Sequence, residues 1–107
     1  TFEPHPARLL APALAPPLIF PLPRKLELLG EMGMDVCVLE PFTLELARVS
    51  AEEFVDTVLC AGLGAHEVVV GYDFTFGRKR EGTTATLRLP CGPPPDDAET
   101  AGSARAV

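Results

Sequence analysis

The distribution of proline constrains this chain more than any other sequence feature. Seven of its 12 prolines fall within residues 4–23. Proline fixes φ and removes a backbone donor, so this stretch is excluded from a central strand or a long helix. We expect an extended loop with one helical turn near residues 7–10. No two of these prolines are three residues apart, which argues against a PxxP ligand for an SH3-type domain.

The composition is that of one small globular domain without a generally basic surface. Hydrophobic residues make up 47% of the 107 residues, and the formal net charge is -6. Nucleic acids and anionic membranes attract basic surfaces, so neither is an expected partner. No apolar run approaches the roughly 18–20 residues of a membrane span. With no signal-peptide pattern at the start, we expect a cytoplasmic location.

The cysteines do not form a recognisable metal or disulfide pattern. Cys37, Cys60 and Cys91 are far apart in sequence, no CxxC pair occurs, and only two histidines are present. We therefore expect neither a zinc site nor a disulfide framework. The odd number of cysteines is typical of a reducing compartment.

Helix and strand patterns alternate in the middle of the chain. The stretch "LPRKLELLGEMG" predicts a helix that ends at Gly33. "MDVCVLE" predicts a buried strand at residues 36–39, and "EVVVGY" predicts the next strand. This order predicts an α/β fold with a parallel sheet, in which residues 35–39 and 67–71 are neighbouring strands with a right-handed crossover.

A second helix is predicted between these strands. Ser50 followed by Glu53 in "SAEEF" is a capping box, which begins a helix over residues 51–61. Its core candidates are Phe54, Val58 and Leu59. The preceding "FTLELARVS" predicts a brief helix.

Two segments follow predicted strands, where parallel α/β sheets gather their ligands. In "TFEPHP", two prolines bracket His5. The segment is either a rigid loop that presents a flat apolar surface to a ligand or a stiffened surface turn. No partner that would make His5 a general base is identifiable from the sequence.

The second segment is "GYDFTFG", followed by "RKR". Asp73 is suited to accept hydrogen bonds from a ribose or an amino group. Phe74 and Phe76 alternate, so in an extended segment they face opposite sides. Either both are core residues, or one packs inward while the other stacks on a planar ring. The basic run 78–80 is either a solvated loop or a phosphate contact.

Four stretches in this order resemble a known family: "TFEPHP", "PLPRKLELL", "FTLELARVSAEEFV" and "VVVGYDFTFGRKREG". Over residues 1–82 they look like the adenylyltransferase module of the prokaryotic bifunctional riboflavin kinase/FAD synthetase. The resemblance implies part of a Rossmann-like nucleotidyltransferase fold. It also implies transfer of AMP from ATP to FMN with Mg²⁺, giving FAD and pyrophosphate. The full-length parent would carry a riboflavin kinase domain as well.

The resemblance also implies where the small-molecule substrates bind. One set of residues would line the flavin, with the last of them beside the isoalloxazine: Phe2, Pro4, His5, Pro6, Leu10 and Phe76. Gly71 and Asp73 would lie by the nucleotide and the reacting phosphates. No catalytic residue and no metal ligand is assigned.

The chain departs from this family in several places. The family's HxGH and ISST-type segments are absent, as is the riboflavin kinase domain, and from Thr83 the sequence no longer follows the pattern. We expect residues 83–107 to be an unstructured low-complexity tail. Because the chain opens abruptly without Met, we expect a fragment. It is either an inactive central piece of an FMN adenylyltransferase or a non-catalytic remnant that at best binds flavin weakly.

Overall fold

The computed structural model describes residues 1–88 and 103–106. The chain forms two compact units, Thr1–Leu44 and Glu45–Val107. Each unit combines helices with one pair of parallel strands. The expected α/β class with parallel strand pairing is therefore confirmed. Within the described residues no helix is long and apolar enough to cross a membrane.

The first unit begins with a short parallel strand pair. Strand β1 (Phe2–Glu3) lies beside β2 (Glu40–Pro41), with Phe2 opposite Glu40. The Glu40 N–H donates to the Thr1 carbonyl at 2.9 Å. Strand β1 ends where Pro4 follows through a cis peptide bond. A proline has no N–H to donate to a neighbouring strand, which suits it to this end position.

The proline-rich stretch folds into short helical turns and connecting loop, as expected. Helix α1 (Pro6–Leu10) is followed by a 3₁₀ turn at Pro12–Leu14. Pro6 is the first helical residue, where the missing N–H removes no intrahelical bond. The predicted helical turn near residues 7–10 is therefore confirmed.

Helix α2 (Leu22–Glu31) is amphipathic. Its side chains at Leu22, Leu26 and Leu29 are half-buried and recur every three or four residues, which is the spacing of one helical face. Gly33 follows the helix with a φ of +90°, a conformation that side chains disfavour. The predicted helix and its glycine stop are confirmed.

The second unit is built around one continuous helical segment. Helix α3 (Leu44–Ala47), whose first residue belongs to the first unit, precedes α4 (Ala51–Phe54), which continues as a π-helix over Val55–Gly62. The Ser50 Oγ accepts the Glu53 N–H at 3.1 Å. The predicted cap and the predicted helix are confirmed to within one residue at its end.

The buried side chains of this helix differ from those predicted. Ala51 and Val55 are each 1% exposed, and they lie one turn apart. The expected core residues Phe54, Val58 and Leu59 are only half-buried. The hydrophobic pattern favoured the larger side chains, whereas the close-packed face contains the smaller ones.

Strand β3 (Glu67–Val70) confirms the second predicted strand, but its partner is different from the one expected. It pairs in parallel with β4 (Ser103–Ala106), with Glu67 opposite Ser103. The predicted strand at residues 36–39 is wrong, because these residues have no regular structure and Val36 is 80% exposed. A short apolar run does not by itself separate a strand from an extended loop.

Strand β4 also corrects the expectation of an unstructured tail for its four residues. Strand pairing uses backbone N–H and C=O groups, so it does not require the large apolar side chains that this stretch lacks. Of the rest of the predicted tail, residues 83–88 are described and include a 3₁₀ turn at Thr86–Arg88 with Leu87 only 5% exposed. Residues 89–102 and 107 lie outside the described part of the chain.

One further expectation, which concerns the cysteines, is corrected. Cys60 is disulfide-bonded, whereas Cys37 is free and exposed. From the count and spacing of the cysteines we expected no disulfide framework. Spacing along the chain does not give the distance between Cα atoms in space, on which a disulfide depends.

Candidate functional site

The first candidate segment, residues 2–10, spans β1 and α1 in the first unit. The Phe2 ring packs edge-to-face on Phe42, with ring centroids 5.5 Å apart and an interplanar angle of 72°. Phe2 is half-buried, so much of its ring already packs within this unit. It anchors the segment and leaves the remaining ring surface accessible.

His5 caps helix α1 with one of its ring nitrogens. The Nδ1 atom accepts the Ala7 N–H at 3.1 Å. This bond assigns the proton of the neutral ring to Nε2, which has no hydrogen-bond partner in residues 1–88. His5 therefore presents a hydrogen-bond donor to solvent rather than the free acceptor that a general base needs.

The apolar residues of this segment are accessible. Pro4 is exposed, Pro6 is half-buried at the start of α1, and Leu10 at its end is 57% exposed. Proline rings and a leucine side chain held next to a helix offer apolar surface with little conformational entropy left to lose. Residues 4–10 therefore expose apolar surface at Pro4 and Leu10.

The second candidate segment, residues 71–82, lies in the second unit and is called the aromatic turn below. It opens with a tight turn, in which the Phe74 N–H donates to the Gly71 carbonyl at 3.1 Å. Asp73 sits exposed in this turn, and its carboxylate has no hydrogen bond or ion pair within residues 1–88. It is therefore available to accept hydrogen bonds from a ligand.

The two phenylalanines of the aromatic turn do not face opposite sides. Their rings stack, with centroids 5.6 Å apart and an interplanar angle of 16°. Phe76 also packs against Phe54 of α4 at 5.9 Å. The expected alternation is wrong because the backbone turns at residues 71–74 and is not extended. Phe76 lies between two rings, and Phe74, 41% exposed, is the outer one.

The rest of the aromatic turn packs closely on the first residue of α4. Phe76 and Gly82 form an antiparallel bridge, with N–H to carbonyl distances of 3.1 and 2.8 Å. A Cβ at Gly77 would lie 2.7 Å from the Ala51 Cα, and one at Gly82 would lie 2.6 Å from the Ala51 Cβ. Sequence reasoning missed this contact. The spacing of the two glycines, together with the small residue after Ser50, was the available signal.

The basic run 78–80 is exposed along its length. Arg78 lies 3.8 Å from the Glu81 carboxylate, and the Arg80 Nε donates to the Thr75 Oγ1 at 2.9 Å. Lys79 has no charged or hydrogen-bonded partner within residues 1–88. Both alternatives for this run, a solvated loop and a phosphate contact, are compatible with its exposure.

The predicted site residues thus fall into two groups. The first unit brings together Phe2, Pro4, His5, Pro6 and Leu10, and the second brings together Gly71, Asp73 and Phe76. Among the described residues no group of three His, Cys, Asp or Glu side chains is arranged to hold a metal ion.

Comparison with known proteins assigns the chain to a family. The family model for FAD synthetase matches residues 1–92, which is most of the chain and includes both candidate segments. The chain belongs to the FAD synthetase family. The match extends beyond residue 82, where the sequence resemblance ended.

Curated relatives give the same assignment. Three proteins named bifunctional riboflavin kinase/FMN adenylyltransferase illustrate it. That of Bacillus subtilis is 34% identical over 88 residues, or 81% of this chain and 28% of the relative. That of Pseudomonas fluorescens is 40% identical over 76% of this chain and 26% of the relative. That of Escherichia coli K12 is 37% identical over 81% of this chain and 28% of the relative. The chain therefore spans little more than a quarter of the length of these relatives.

Proposed function

We propose that residues 1–92 are part of an FMN adenylyltransferase, which transfers AMP from ATP to FMN and releases pyrophosphate. The observation that carries this proposal is the family match across both candidate segments. The relatives' names supply FMN as the acceptor. A Rossmann-like fold, a cytoplasmic location and a riboflavin kinase domain in the parent protein belong to the same proposal.

In the first unit, the proposed contribution is to flavin binding. Pro4 and Leu10 are exposed apolar residues, which suit the ring system of a flavin. His5 holds its Nδ1 in the α1 cap. Phe2 and Pro6 support this surface from half-buried positions.

In the second unit, the aromatic turn is proposed to contact both the flavin and the nucleotide. Phe76, stacked with Phe74, is assigned to the isoalloxazine. Gly71 and Asp73 are assigned to the nucleotide. The carboxylate of Asp73 is exposed and unpaired in the described chain, so it is available to accept from a ribose hydroxyl or an amino group.

Mg²⁺ is the ion that the proposed reaction uses to neutralise phosphate charge. In proteins Mg²⁺ usually takes one or two carboxylates and the oxygens of substrate phosphates, and among the described residues no three His, Cys, Asp or Glu side chains are arranged to hold an ion. We assign no ligand to it and no step of the reaction to these residues. The 107 residues also contain no HxGH and no ISST-type segment.

Incubation of the purified chain with FMN, ATP and Mg²⁺ tests the proposal. We expect saturable FMN binding, measured by quenching of flavin fluorescence, without FAD formation, measured by chromatography. Losing one preorganised charge-stabilising group costs roughly 100- to 1000-fold in rate, and more than one phosphate-binding segment is absent from this chain. Clear turnover would contradict the inactive-piece proposal, and absence of FMN binding would contradict the flavin assignment.

A further inference from the structure

The aromatic turn is anchored to helix α4 by a carboxylate. The Glu81 Oε1 accepts the Ala51 N–H at 3.2 Å. Ala51 is the first residue of α4, so this N–H is one of the donors that has no partner inside the helix. Ser50 Oγ satisfies a different donor, the N–H of Glu53. Glu81 therefore completes the helix cap from a distant part of the chain.

The hydrogen bond to Ala51 holds the Glu81 side chain in place more strongly than its ion pair with Arg78 does. The Arg78 guanidinium lies 3.8 Å from Glu81 Oε2, and the two side chains are 52% and 38% exposed. Exposed ion pairs of this length contribute little. By contrast, a carboxylate that accepts an N–H at a helix N-terminus is favoured by both charge-assisted hydrogen bonding and the helix dipole.

The position of Glu81 is coupled to that of the two phenylalanines. It immediately precedes Gly82, whose N–H and carbonyl both bond to Phe76. Phe76 in turn packs between Phe54 and Phe74. A shift of Glu81 away from Ala51 would therefore move the Phe76 backbone and the ring stacked on it.

We propose that Glu81 is a positioning residue that sets the orientation of the Phe74–Phe76 ring pair through its hydrogen bond to Ala51. No assignment from sequence includes Glu81. The consequence for flavin binding rests on the proposed function, whereas the consequence for ring orientation does not.

The test compares three substitutions in the full chain. Glu81→Ala removes the acceptor, Glu81→Gln keeps an acceptor oxygen at the same reach, and Glu52→Ala is the matched control. Glu52 is exposed in the first turn of the same helix, so its removal changes the charge by the same amount without touching the aromatic turn. The measurements are NOE intensities between the Phe74 and Phe76 rings and the dissociation constant for FMN.

We expect Glu81→Ala to weaken the ring-to-ring NOEs and to weaken FMN binding roughly three- to tenfold, the range of one typical net hydrogen bond. Glu52→Ala should retain both properties, and Glu81→Gln should retain the NOEs and be less impaired in FMN binding than Glu81→Ala, because it keeps the acceptor and loses only the charge. A purely stabilising role would lower the melting temperature while leaving the NOEs and the affinity of the folded chain unchanged, and that result would overturn the proposal. Equal impairment in Glu81→Gln would overturn it too, because the charge would then matter rather than the acceptor.

A fourth variant decides the matter if Glu81→Ala does not fold. Glu81→Asp retains the charge but is one methylene too short for the 3.2 Å contact with Ala51. We expect Glu81→Asp to weaken the ring-to-ring NOEs while Glu81→Gln does not. Weaker NOEs in Glu81→Gln than in Glu81→Asp would contradict the proposal. If Phe76→Ala leaves FMN binding unchanged, the flavin assignment fails, and the NOEs still decide the role of Glu81.

Discussion

Val55 shows how a single residue stabilises the second unit. Its side chain is 1% exposed and is the largest that is fully buried among the described residues. It lies where α4 changes into the π-helix, one turn after Ala51. Burying a side chain of this size contributes about 1.5–3 kcal/mol.

Val55→Ala should therefore lower the free energy of unfolding by about 1.5–3 kcal/mol, since it removes two buried methyl groups and leaves a cavity. Val69→Ala is the control, because Val69 is 60% exposed and exposed positions change stability by about 0.5 kcal/mol or less. Chemical denaturation measures both. Equal effects of the two substitutions would show that Val55 is not a core residue.

At the scale of single residues, the sequence predicted local features but not contacts between distant parts of the chain. The cap at Ser50 and the helix end at Gly33 were predicted, because both depend on chemistry that is local to a few residues. The burial of Val55 and the bond from Ala51 to Glu81, 30 residues along the chain, were not predicted. They depend on which segments meet in space.

At the scale of elements, the packing of the aromatic turn on α4 needs two positions without a side chain. A Cβ at Gly82 would lie 2.6 Å from the Ala51 Cβ and 2.8 Å from Phe76 Cε1. Distances this short require backbone or ring movement. An alanine here would therefore displace the Phe76 ring or the backbone next to it.

Gly82→Ala should destabilise the chain by about 1–3 kcal/mol through overpacking. Gly30→Ala is a control for which we expect the stability to change in the opposite direction. Gly30 lies within α2, and a Cβ there would meet no atom within 4 Å, so alanine should stabilise by roughly 0.5–1 kcal/mol through helix propensity. Thermal melting of both variants measures the difference. A stabilising Gly82→Ala would contradict the packing described for the aromatic turn.

Elements with a strong local signal were the ones predicted correctly. The helices and strand β3 follow from spacing, caps and an apolar run next to a glycine-rich turn. The strand predicted at residues 36–39 is absent, and β3 pairs with β4 instead. Pairing is decided by long-range backbone hydrogen bonds, on which a short apolar run carries little information.

At the scale of the whole molecule, the chain belongs to the FAD synthetase family. The match to FAD synthetase covers residues 1–92, but the chain spans only 28% of the Bacillus subtilis relative. Each unit holds part of the proposed substrate contacts. The family followed from two segments of unusual composition, "TFEPHP" and "GYDFTFG", whereas the stacking of Phe74 on Phe76 depended on a turn that composition does not reveal.

The most direct test of the flavin assignment is the FMN dissociation constant of Phe76→Ala beside that of Tyr72→Ala. Both substitutions remove one aromatic ring from the aromatic turn, but Phe76 is stacked and half-buried while Tyr72 is 78% exposed. Phe76 packs between Phe54 and Phe74, so its removal takes away its own proposed contact with the flavin and the ring that supports the outer Phe74. An aromatic contact with a planar ring is worth about 1–3 kcal/mol, so we predict that Phe76→Ala weakens FMN binding roughly tenfold or more. Tyr72→Ala should bind FMN as the unmodified chain does. Unchanged affinity in Phe76→Ala, with the fold intact by circular dichroism, would contradict the account.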